Sequence, residues 1–391
     1  MFARRIAVCH VASGDLWAGA EVQIATLLRM LARRQDFELS AMVLNPGRLA
    51  DEILGCGIDV SIIPESQRNF VSILSGAERF LKPKGIQILH SHRYKENLLA
   101  SLVARRCEIP TVVRTQHGLS EPLDGFKGMK QQFIQTLDRF VARRATDRVI
   151  CVSSEMRGHL AQKFDTRKLV VIPNGVDLAI VRSEMSVAEA KERLGIPRDF
   201  HVLGTAGRIE PIKRLDIFLD AAKIISGELP DARFIIVGTG RAEAALRDKV
   251  RHLQLGERVK FLGHREDIYD VLRAMDVLVL CSDHEGLPMI LLEALALGVV
   301  VVARAVGGIP EVIVHNTAGV LVHDSDPKSL AQACRNVLSD KMSAARLAQA
   351  GMKLVAEKFS AEATAAATAS LYNQLAAAPA ATRAAAKPGV A

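Results

Sequence analysis

One strand–turn–helix unit decides the fold prediction: Val277-Leu-Val-Leu-Cys-Ser-Asp-His-Glu285-Gly-Leu-Pro-Met-Ile-Leu-Leu-Glu293-Ala. The apolar run at its start predicts a buried strand, Gly286 permits a tight turn, and a helix follows from Pro288, since proline is tolerated in a first turn. Exposed N–H groups at that helix start favour an anion. Glu293 lies about two turns after Glu285, in an otherwise apolar helix where an isolated carboxylate is costly unless it is paired or binds a ligand. The unit therefore predicts a parallel α/β sheet with a ligand site at the end of this strand.

Short apolar runs alternate with amphipathic helical patterns along the whole chain. The predicted strands cover 6–11, 38–44, 87–90, 111–115, 148–152, 169–172, 201–207, 233–238, 259–262, 277–281, 299–303 and 319–322. The predicted helices include 21–34, 97–106, 216–225, 243–253, 267–274, 289–297 and 327–338. Such alternation is typical of parallel sheets with crossover helices on both faces. We therefore predict the α/β class, with two facing doubly wound, Rossmann-like domains.

The strand pattern restarts after position 178, and this restart sets the predicted domains. The first domain covers 1–178 and the second 179–360, with a hinge at 173–177, where a proline and an Asn-Gly pair punctuate the chain. An alanine-rich helix at 361–376 is expected to return to the first domain. The low-complexity tail at 377–391 is predicted to be disordered. A length of 391 residues suits two domains of roughly 150–200 residues each.

Composition and charge narrow the possible partners. The chain is 49% hydrophobic and 4% aromatic with one Trp, so an aromatic-stacking nucleic-acid surface is not expected despite a net charge of +8. Residues 1–178 contain 25 Lys and Arg against 18 Asp and Glu, so +7 of the total charge lies in the first half. That excess favours an anionic partner for the first domain.

Cysteine usage and hydropathy predict a cytoplasmic protein. The six cysteines form no C-x-x-C pair and most lie in apolar runs, as is typical of free thiols in a reducing compartment. The apolar run 294–303 has about half the length that a membrane-spanning helix needs. The first residues faintly resemble a signal peptide, but a short apolar part that contains His10 favours a first buried strand.

Three further strand-to-helix turns suit an anion. The first is Gly204-Thr-Ala-Gly-Arg-Ile-Glu-Pro-Ile-Lys-Arg214, in which a glycine allows close backbone approach and two cations five residues apart suit a diphosphate. The others are Val306-Gly-Gly-Ile-Pro-Glu311 and, after the first strand, Ser13-Gly-Asp-Leu-Trp-Ala-Gly-Ala-Glu21. Each is weak alone, because glycine-rich turns are common in α/β folds.

In this order, the motifs resemble those of the retaining nucleotide-sugar glycosyltransferases with the GT-B fold, specifically glycosyltransferase family four. The resemblance covers about residues 5–375 and is strongest over 200–315. Its most specific element is the pair Glu285 and Glu293 in the frame E-G-L-P-x-x-L-L-E-A.

The resemblance implies roles for residues of the second domain. Arg208 and Lys213 would hold the donor diphosphate and stabilise the charge of the leaving group. Glu285 would bind hydroxyls of the donor sugar, and the N–H groups of the next two residues would face sugar or phosphate. Glu293 would bind the ribose hydroxyls.

For the first domain, the resemblance places Gly19 close to the diphosphate across the cleft and His117 beside the donor sugar. His117 could be a base, but a neutral hydrogen-bonding histidine fits equally well. Ala18 stands where the family often has a second glycine, and Arg214 stands where a glycine often follows the lysine, which adds positive charge. The residues implied to bind the donor are Gly19, Gly207, Gly286, Leu287 and Glu293, and those implied to be catalytic are His117, Arg208, Lys213 and Glu285.

The implied activity is transfer of a sugar from a nucleotide donor, with UDP as the family preference, to a glycan or lipid-linked acceptor. Transfer would retain the anomeric configuration and serve cell-surface polysaccharide or lipopolysaccharide assembly. Two alternatives remain open. A sugar-nucleotide epimerase of similar fold would need acid–base residues at the sugar ring, and a non-catalytic nucleotide-sugar-binding partner would not need the intact cation and glutamate pattern.

No cofactor and no metal are expected. Asp326, in the single Asp-x-Asp match at 324–326, is predicted to cap the following helix. His90 and His92 have no third ligand nearby, so strand-end histidines are favoured over zinc ligands. The turn 238–240 lacks the third glycine of a dinucleotide fingerprint, so NAD is not predicted.

A basic amphipathic segment spans 126–148. It contains Lys127, Lys130, Arg139, Arg143, Arg144 and Arg148, with apolar residues at helical spacing. One interpretation is an ordinary helix that packs on its own domain with a solvated basic face. The other is peripheral attachment to an anionic leaflet, at the inner face of the cytoplasmic membrane, where a lipid-linked acceptor would be met.

Overall fold

The computed structural model describes residues 5–14, 16–119 and 125–377, which form two compact units. The first unit combines the chain up to Asn174 with the segment from Ala361, and the second is Gly175–Ser360. The chain passes from one unit to the next inside the predicted 173–177 segment. The predicted tail lies outside the described residues except for Ala377, where the last helix ends.

A seven-stranded parallel sheet forms the centre of the first unit. Its strands are β1 (Ile6–Ala12), β2 (Phe37–Val43), β3 (Asp59–Ile62), β4 (Ile88–Ser91), β5 (Thr111–Gln116), β6 (Arg148–Cys151) and β7 (Leu169–Val171). Their order across the sheet is β3-β2-β1-β4-β5-β6-β7. The order reverses between β1 and β4, and doubly wound sheets bind ligands at such reversals.

Within the described part of this unit, six α-helices connect these strands. They are α1 (Gly19–Ala32), α2 (Arg48–Leu54), α3 (Phe70–Leu81), α4 (Tyr94–Arg106), α5 (Gly125–Ala145) and α6 (Ser154–Ala161). Side-chain caps fix two of the starts: the Asn69 side chain accepts from the Ser72 N–H before α3, and Ser153 accepts from the Met156 N–H before α6. Such caps satisfy N–H groups that the first turn of a helix leaves without partners.

The second unit has a six-stranded parallel sheet. Its strands are β8 (His201–Ala206), β9 (Ala232–Val237), β10 (Val259–Gly263), β11 (Val277–Leu280), β12 (Val300–Arg304) and β13 (Val320–Val322), in the order β10-β9-β8-β11-β12-β13. Its helices are α7 (Val187–Arg193), α8 (Leu215–Glu228), α9 (Glu243–His252), α10 (Ile268–Arg273), α11 (Met289–Ala296), α12 (Ile309–Val312), α13 (Pro327–Ser339) and α14 (Lys341–Lys358).

The last helix, α15 (Ala361–Ala377), packs on the first unit. Ala365, Ala369 and Tyr372 share a core cluster with Val8 of β1 and Leu31 of α1. The prediction that a C-terminal helix returns to the first domain is therefore confirmed. Within the described residues, every helix is too short or too polar to cross a bilayer.

The predicted α/β class and the two Rossmann-like units are confirmed. The ends of all the predicted strands agree with the structure within one residue. β3 was not predicted, because Asp59-Val-Ser-Ile has no apolar run and forms a partly exposed strand at the sheet edge. Asp326 caps α13, as predicted, by accepting from the Lys328 N–H at 2.9 Å.

Candidate active site

Two loops meet where the order of the second sheet reverses. β8 has β9 on one side and β11 on the other. The chain leaving β8 reaches Arg208 and Lys213, and the chain leaving β11 reaches Glu285. A main-chain hydrogen bond of 2.9 Å from the Asp283 N–H to the Ile212 carbonyl joins the two loops. Motifs far apart in the sequence are therefore neighbours at the carboxyl ends of adjacent strands.

An ion pair lies at this junction. Lys213 Nζ donates to Glu285 Oε1 at 2.7 Å, and Ser282 Oγ donates to the same oxygen at 2.6 Å. The Glu285 side chain is 9% exposed and that of Lys213 is 25% exposed, so water screens the pair less than it would on an open surface. Among the described residues, no group donates a hydrogen bond to Glu285 Oε2. One carboxylate oxygen is thus fixed, and the other is available to a ligand.

The turn that begins α12 supports the Glu285 loop. Gly307 has φ +58°, and a Cβ atom at this position would overlap the Glu285 carbonyl oxygen. The N–H of Gly308 donates to the Gly286 carbonyl at 2.7 Å. The glycines of this motif, which the sequence marked as suited to an anion, here permit close contact between two loops.

The glycine-containing turn 238–240 supports the loop that contains the predicted phosphate-binding cation Arg208. Gly207 and Arg208 follow β8 directly and are exposed. A Cβ atom at Gly238 would overlap the Gly207 carbonyl oxygen, and the Ile209 N–H donates to the Thr239 carbonyl at 2.8 Å. The turn 238–240 therefore holds the loop that contains Arg208.

Glu293 lies on α11 and is buried. Burial raises the pKa of its carboxyl to about 7. No hydrogen bond or ion pair reaches this carboxyl from the described residues. A ligand that donates hydrogen bonds to the carboxylate would supply the compensation that the protein does not.

Arg214 does not add an unpaired charge to the site. It pairs with Asp216 at 3.0 Å and with Asp283 at 3.3 Å. Its φ is +49°, a left-handed conformation that glycine adopts more readily. Arg214 therefore adopts a left-handed turn of the kind that glycine favours, and the two aspartates neutralise its charge locally.

The other two predicted site residues belong to the first unit. Gly19 is the first residue of α1 and is exposed. His117 follows β5, and its Nε2 lies 3.2 Å from His92 Nδ1. The second unit contains the remaining predicted residues: Gly207, Arg208, Lys213, Glu285, Gly286, Leu287 and Glu293.

The expectation that His90 and His92 have no third ligand-type neighbour is wrong. His10 lies opposite His90 in the β1–β4 register, and ring nitrogens of His10, His90 and His92 lie within 4.8 Å of one another. The sequence did not reveal this cluster, because its formation depends on β1 and β4 being neighbours in the sheet.

Comparisons with known proteins agree with this architecture. The family model for Glycosyltransferase Family 4 matches residues 17–180, and the model for Glycosyl transferases group 1 matches residues 186–354. A UDP-Gal:alpha-D-GlcNAc-diphosphoundecaprenol alpha-1,3-galactosyltransferase of Escherichia coli is 29% identical over 352 residues, which cover 86% of this chain and 89% of the relative. A D-inositol 3-phosphate glycosyltransferase of Kineococcus radiotolerans is 30% identical over 316 residues, which cover 73% of this chain and 71% of the relative.

The fold has close structural counterparts. Anabaena HepE in complex with UDP-glucose aligns with a TM-score of 0.83 at 19% identity, covering 95% of this chain and 100% of that chain. Both halves of the sequence match glycosyltransferase families, and two parallel Rossmann-like sheets underlie them. The chain therefore belongs to the GT-B glycosyltransferases of the family four type.

Proposed function

We propose that this enzyme transfers a hexosyl group from a UDP-sugar to a glycan or lipid-linked acceptor, with retention of anomeric configuration, in cell-surface glycan assembly. The observation that supports this most is the Lys213–Glu285 pair at the reversal of the second sheet, with Glu293 on the helix that follows. The name of the E. coli relative specifies a UDP-Gal donor and a diphosphoundecaprenol-linked acceptor, which supports a donor and an acceptor of the same classes here.

The proposed chemistry at the donor is charge stabilisation. Breaking the bond between the sugar carbon and the diphosphate leaves positive charge on the sugar and negative charge on the phosphate. Arg208 and Lys213 would stabilise that negative charge, and a preorganised group of this kind is worth about 3 kcal/mol. The main-chain bond between the two loops keeps Lys213 close to Glu285 before the donor binds.

Glu285 and Glu293 would bind hydroxyl groups at two ends of the donor. Lys213 and Ser282 both donate hydrogen bonds to Oε1 of Glu285, so Oε2 can accept one from a sugar hydroxyl. The buried carboxyl of Glu293 would accept from the ribose hydroxyls. The backbone N–H groups of Gly286 and Leu287 would donate to the donor sugar or phosphate. Gly207 would let the main chain approach the diphosphate closely.

A donor panel tests the proposal. UDP-, GDP- and ADP-hexoses are incubated with the full chain and with a diphosphoundecaprenol-linked sugar, and both nucleotide release and product are measured. We expect turnover with a UDP-hexose. The new glycosidic bond should have the same anomeric configuration as the sugar–phosphate bond of the donor. Absence of binding and turnover with every donor would contradict the catalytic assignment, and turnover that inverts the anomer would contradict retention.

Variants test the residues. Lys213→Ala and Glu285→Gln should each lower kcat by about a hundredfold, as for loss of one transition-state contact worth about 3 kcal/mol. Lys353→Ala and Glu357→Gln remove the members of an exposed ion pair on α14 and serve as matched controls with unchanged rates. Normal rates in both site variants would refute the site.

We further propose that α5 contacts an anionic membrane leaflet, which places the enzyme at the cytoplasmic face of the membrane. Met129 is 63% exposed and Phe140 is 58% exposed, and Arg139 and Arg144 are exposed on the same helix. The Arg144 guanidinium lies 4.0 Å from the centre of the Phe140 ring. The side chains of Lys127 and Lys130 lie outside the described residues. Exposed apolar groups beside cations suit a lipid surface better than a fully solvated face.

A further inference from the structure

A continuous hydrogen-bonded chain of side chains runs through the first unit. His90 Nε2 lies 2.8 Å from Thr115 Oγ1, His90 Nδ1 bonds the Tyr372 hydroxyl, and that hydroxyl lies 3.1 Å from His10 Nε2. The chain continues from His10 Nδ1 to His92 Nε2 at 2.9 Å and from His92 Nδ1 to His117 Nε2 at 3.2 Å. We call this set the histidine chain; its members, in order, are Thr115, His90, Tyr372, His10, His92 and His117.

The histidine chain is uncharged. His10, His90, His92 and Tyr372 are at most 2% exposed. Burial lowers the pKa of His10 to about 3 and holds the pKa values of His90 and His92 well below their ordinary range. Burial, together with the nearby Arg93 guanidinium, lowers the pKa of His117 to about 3. Each imidazole therefore has one N–H donor and one acceptor nitrogen.

Ring geometry favours a hydrogen-bonded chain over a metal site. The planes of His92 and His10 differ by 24° and their centroids are 5.2 Å apart, so the 2.9 Å contact between His10 Nδ1 and His92 Nε2 runs edge to edge, in the ring planes. Lone pairs of imidazole nitrogens lie in the ring plane, so in this edge-to-edge contact the lone pair of one ring faces the N–H of the other and not a shared metal position. The nitrogens involved already bond one another or the Tyr372 hydroxyl.

Alternation of donors and acceptors couples the tautomers. If Tyr372 donates to His90, then His10 must donate to Tyr372, and His117 then bears its proton on Nε2. If Tyr372 donates to His10, every bond reverses, and His117 bears its proton on Nδ1. Thr115 can donate or accept and so terminates either direction. At the other end, His117 Nδ1 is buried and has no hydrogen-bond partner among the described residues.

We propose that Tyr372, His10, His90 and His92 are positioning residues that couple the tautomer of His117 to helix α15. A reversal of the chain changes His117 Nδ1 from an acceptor into a donor without placing a net charge in the interior. The ligand group that fits such a nitrogen is a neutral hydroxyl rather than an anion. The identity of that hydroxyl as one of the donor sugar rests on the proposed function, whereas the coupling itself does not.

Tyr372→Phe tests the coupling, because it removes the hydroxyl and keeps the ring that packs against Phe37. His10 Nε2 then loses its partner, and a buried N–H without a partner is costlier than a bare lone pair. The proton of His10 therefore moves to Nδ1, and the proton of His117 moves to its Nδ1. Nitrogen-15 NMR of the histidines in the free enzyme should show the Nδ1–H tautomer of His117 enriched by about fivefold, as for loss of one net hydrogen bond.

A matched control is Thr368→Val on the same helix, which removes a buried hydroxyl that bonds the Thr364 carbonyl and lies outside the histidine chain. It should leave the His117 tautomer ratio unchanged. An unchanged ratio in folded Tyr372→Phe overturns the coupling, and so does an equal change in the control. With donor present, Tyr372→Phe should lower kcat by about fivefold at constant KM for the nucleotide. A wild-type enzyme without turnover would refute the proposed function and leave the NMR result standing.

Discussion

Glu293 shows the effect of burial on a single carboxyl. Its pKa is raised from the ordinary 4.5 to about 7. Between these values the folded protein binds more protons at this site than the unfolded chain, so stability falls as pH rises through the window. Glu293→Gln removes that loss and should raise the free energy of unfolding at pH 8 by about 3 kcal/mol, with little change at pH 4.5. Denaturant unfolding at the two pH values measures the difference.

The same substitution should weaken donor binding if the carboxylate accepts from ribose. Glu357→Gln, at an exposed position, is the control and should change neither quantity. A Glu293→Gln protein that is equally stable at pH 8 would mean that compensation inside the protein already offsets the burial of the carboxyl.

For single residues, the sequence identified site candidates that are close together in the chain. It missed residues that become neighbours only because their strands are adjacent in the sheet. Glu285 and Glu293 stand on one strand–turn–helix unit, so their spacing alone marked them. His10 and His90 are brought together only because β1 pairs with β4, and Tyr372 arrives from the far end of the chain. No local pattern contains that information.

Among the structural elements, the turn at Gly307 makes the clearest prediction. Gly307→Ala would force a Cβ atom against the Glu285 carbonyl and strain a left-handed φ, at a cost of about 1–3 kcal/mol. The loop must shift, and the Lys213–Glu285 contact shifts with it. We expect at least a tenfold loss of kcat/KM, with the fold retained by circular dichroism.

Gly227→Ala is the matched control for this test. Gly227 lies in α8 with open space around its Cβ position, so alanine should be neutral or stabilise the helix by about 1 kcal/mol. If both glycine variants kept full activity, the turn would not be what positions Glu285.

Strands with a clear hydrophobic pattern could be predicted from the sequence. Features that depend on residues far away in the chain could not. Buried parallel strands such as β11 and β12 are continuous apolar runs. β3 lies beside β2 at the edge of the described sheet, and its sequence alternates polar and apolar residues over just four positions. Arg214 adopts a left-handed conformation and pairs with Asp216, two residues on, but also with Asp283, which the sequence places 69 residues away.

For the whole molecule, the uneven distribution of charge predicts which surface of the protein binds lipid. The first half of the sequence holds most of the net charge, and α5 presents arginines beside exposed apolar side chains. Full-length enzyme should cosediment with phosphatidylglycerol vesicles at low salt and not with phosphatidylcholine vesicles. The double change Arg139→Gln and Arg144→Gln should weaken binding by roughly thirtyfold, at about 1 kcal/mol per cation.

Met342→Ser is the control, because Met342 is the most exposed of the large apolar side chains recorded for the described residues and lies in the second unit. It should leave vesicle binding unchanged. A wild-type protein that ignores anionic vesicles would identify α5 as an ordinary helix with a solvated basic face.

The placement of α15 also has a consequence for biosynthesis. Residues of this helix bury Val8 and Leu31, which leave the ribosome hundreds of residues earlier. The second unit is one continuous segment, Gly175–Ser360, and all of it emerges before α15. During translation the second unit can therefore reach its native state while the first still exposes an apolar face. The first unit begins synthesis first but finishes folding last. A nascent chain stalled before Ala361 would therefore bind chaperones better than the finished enzyme does.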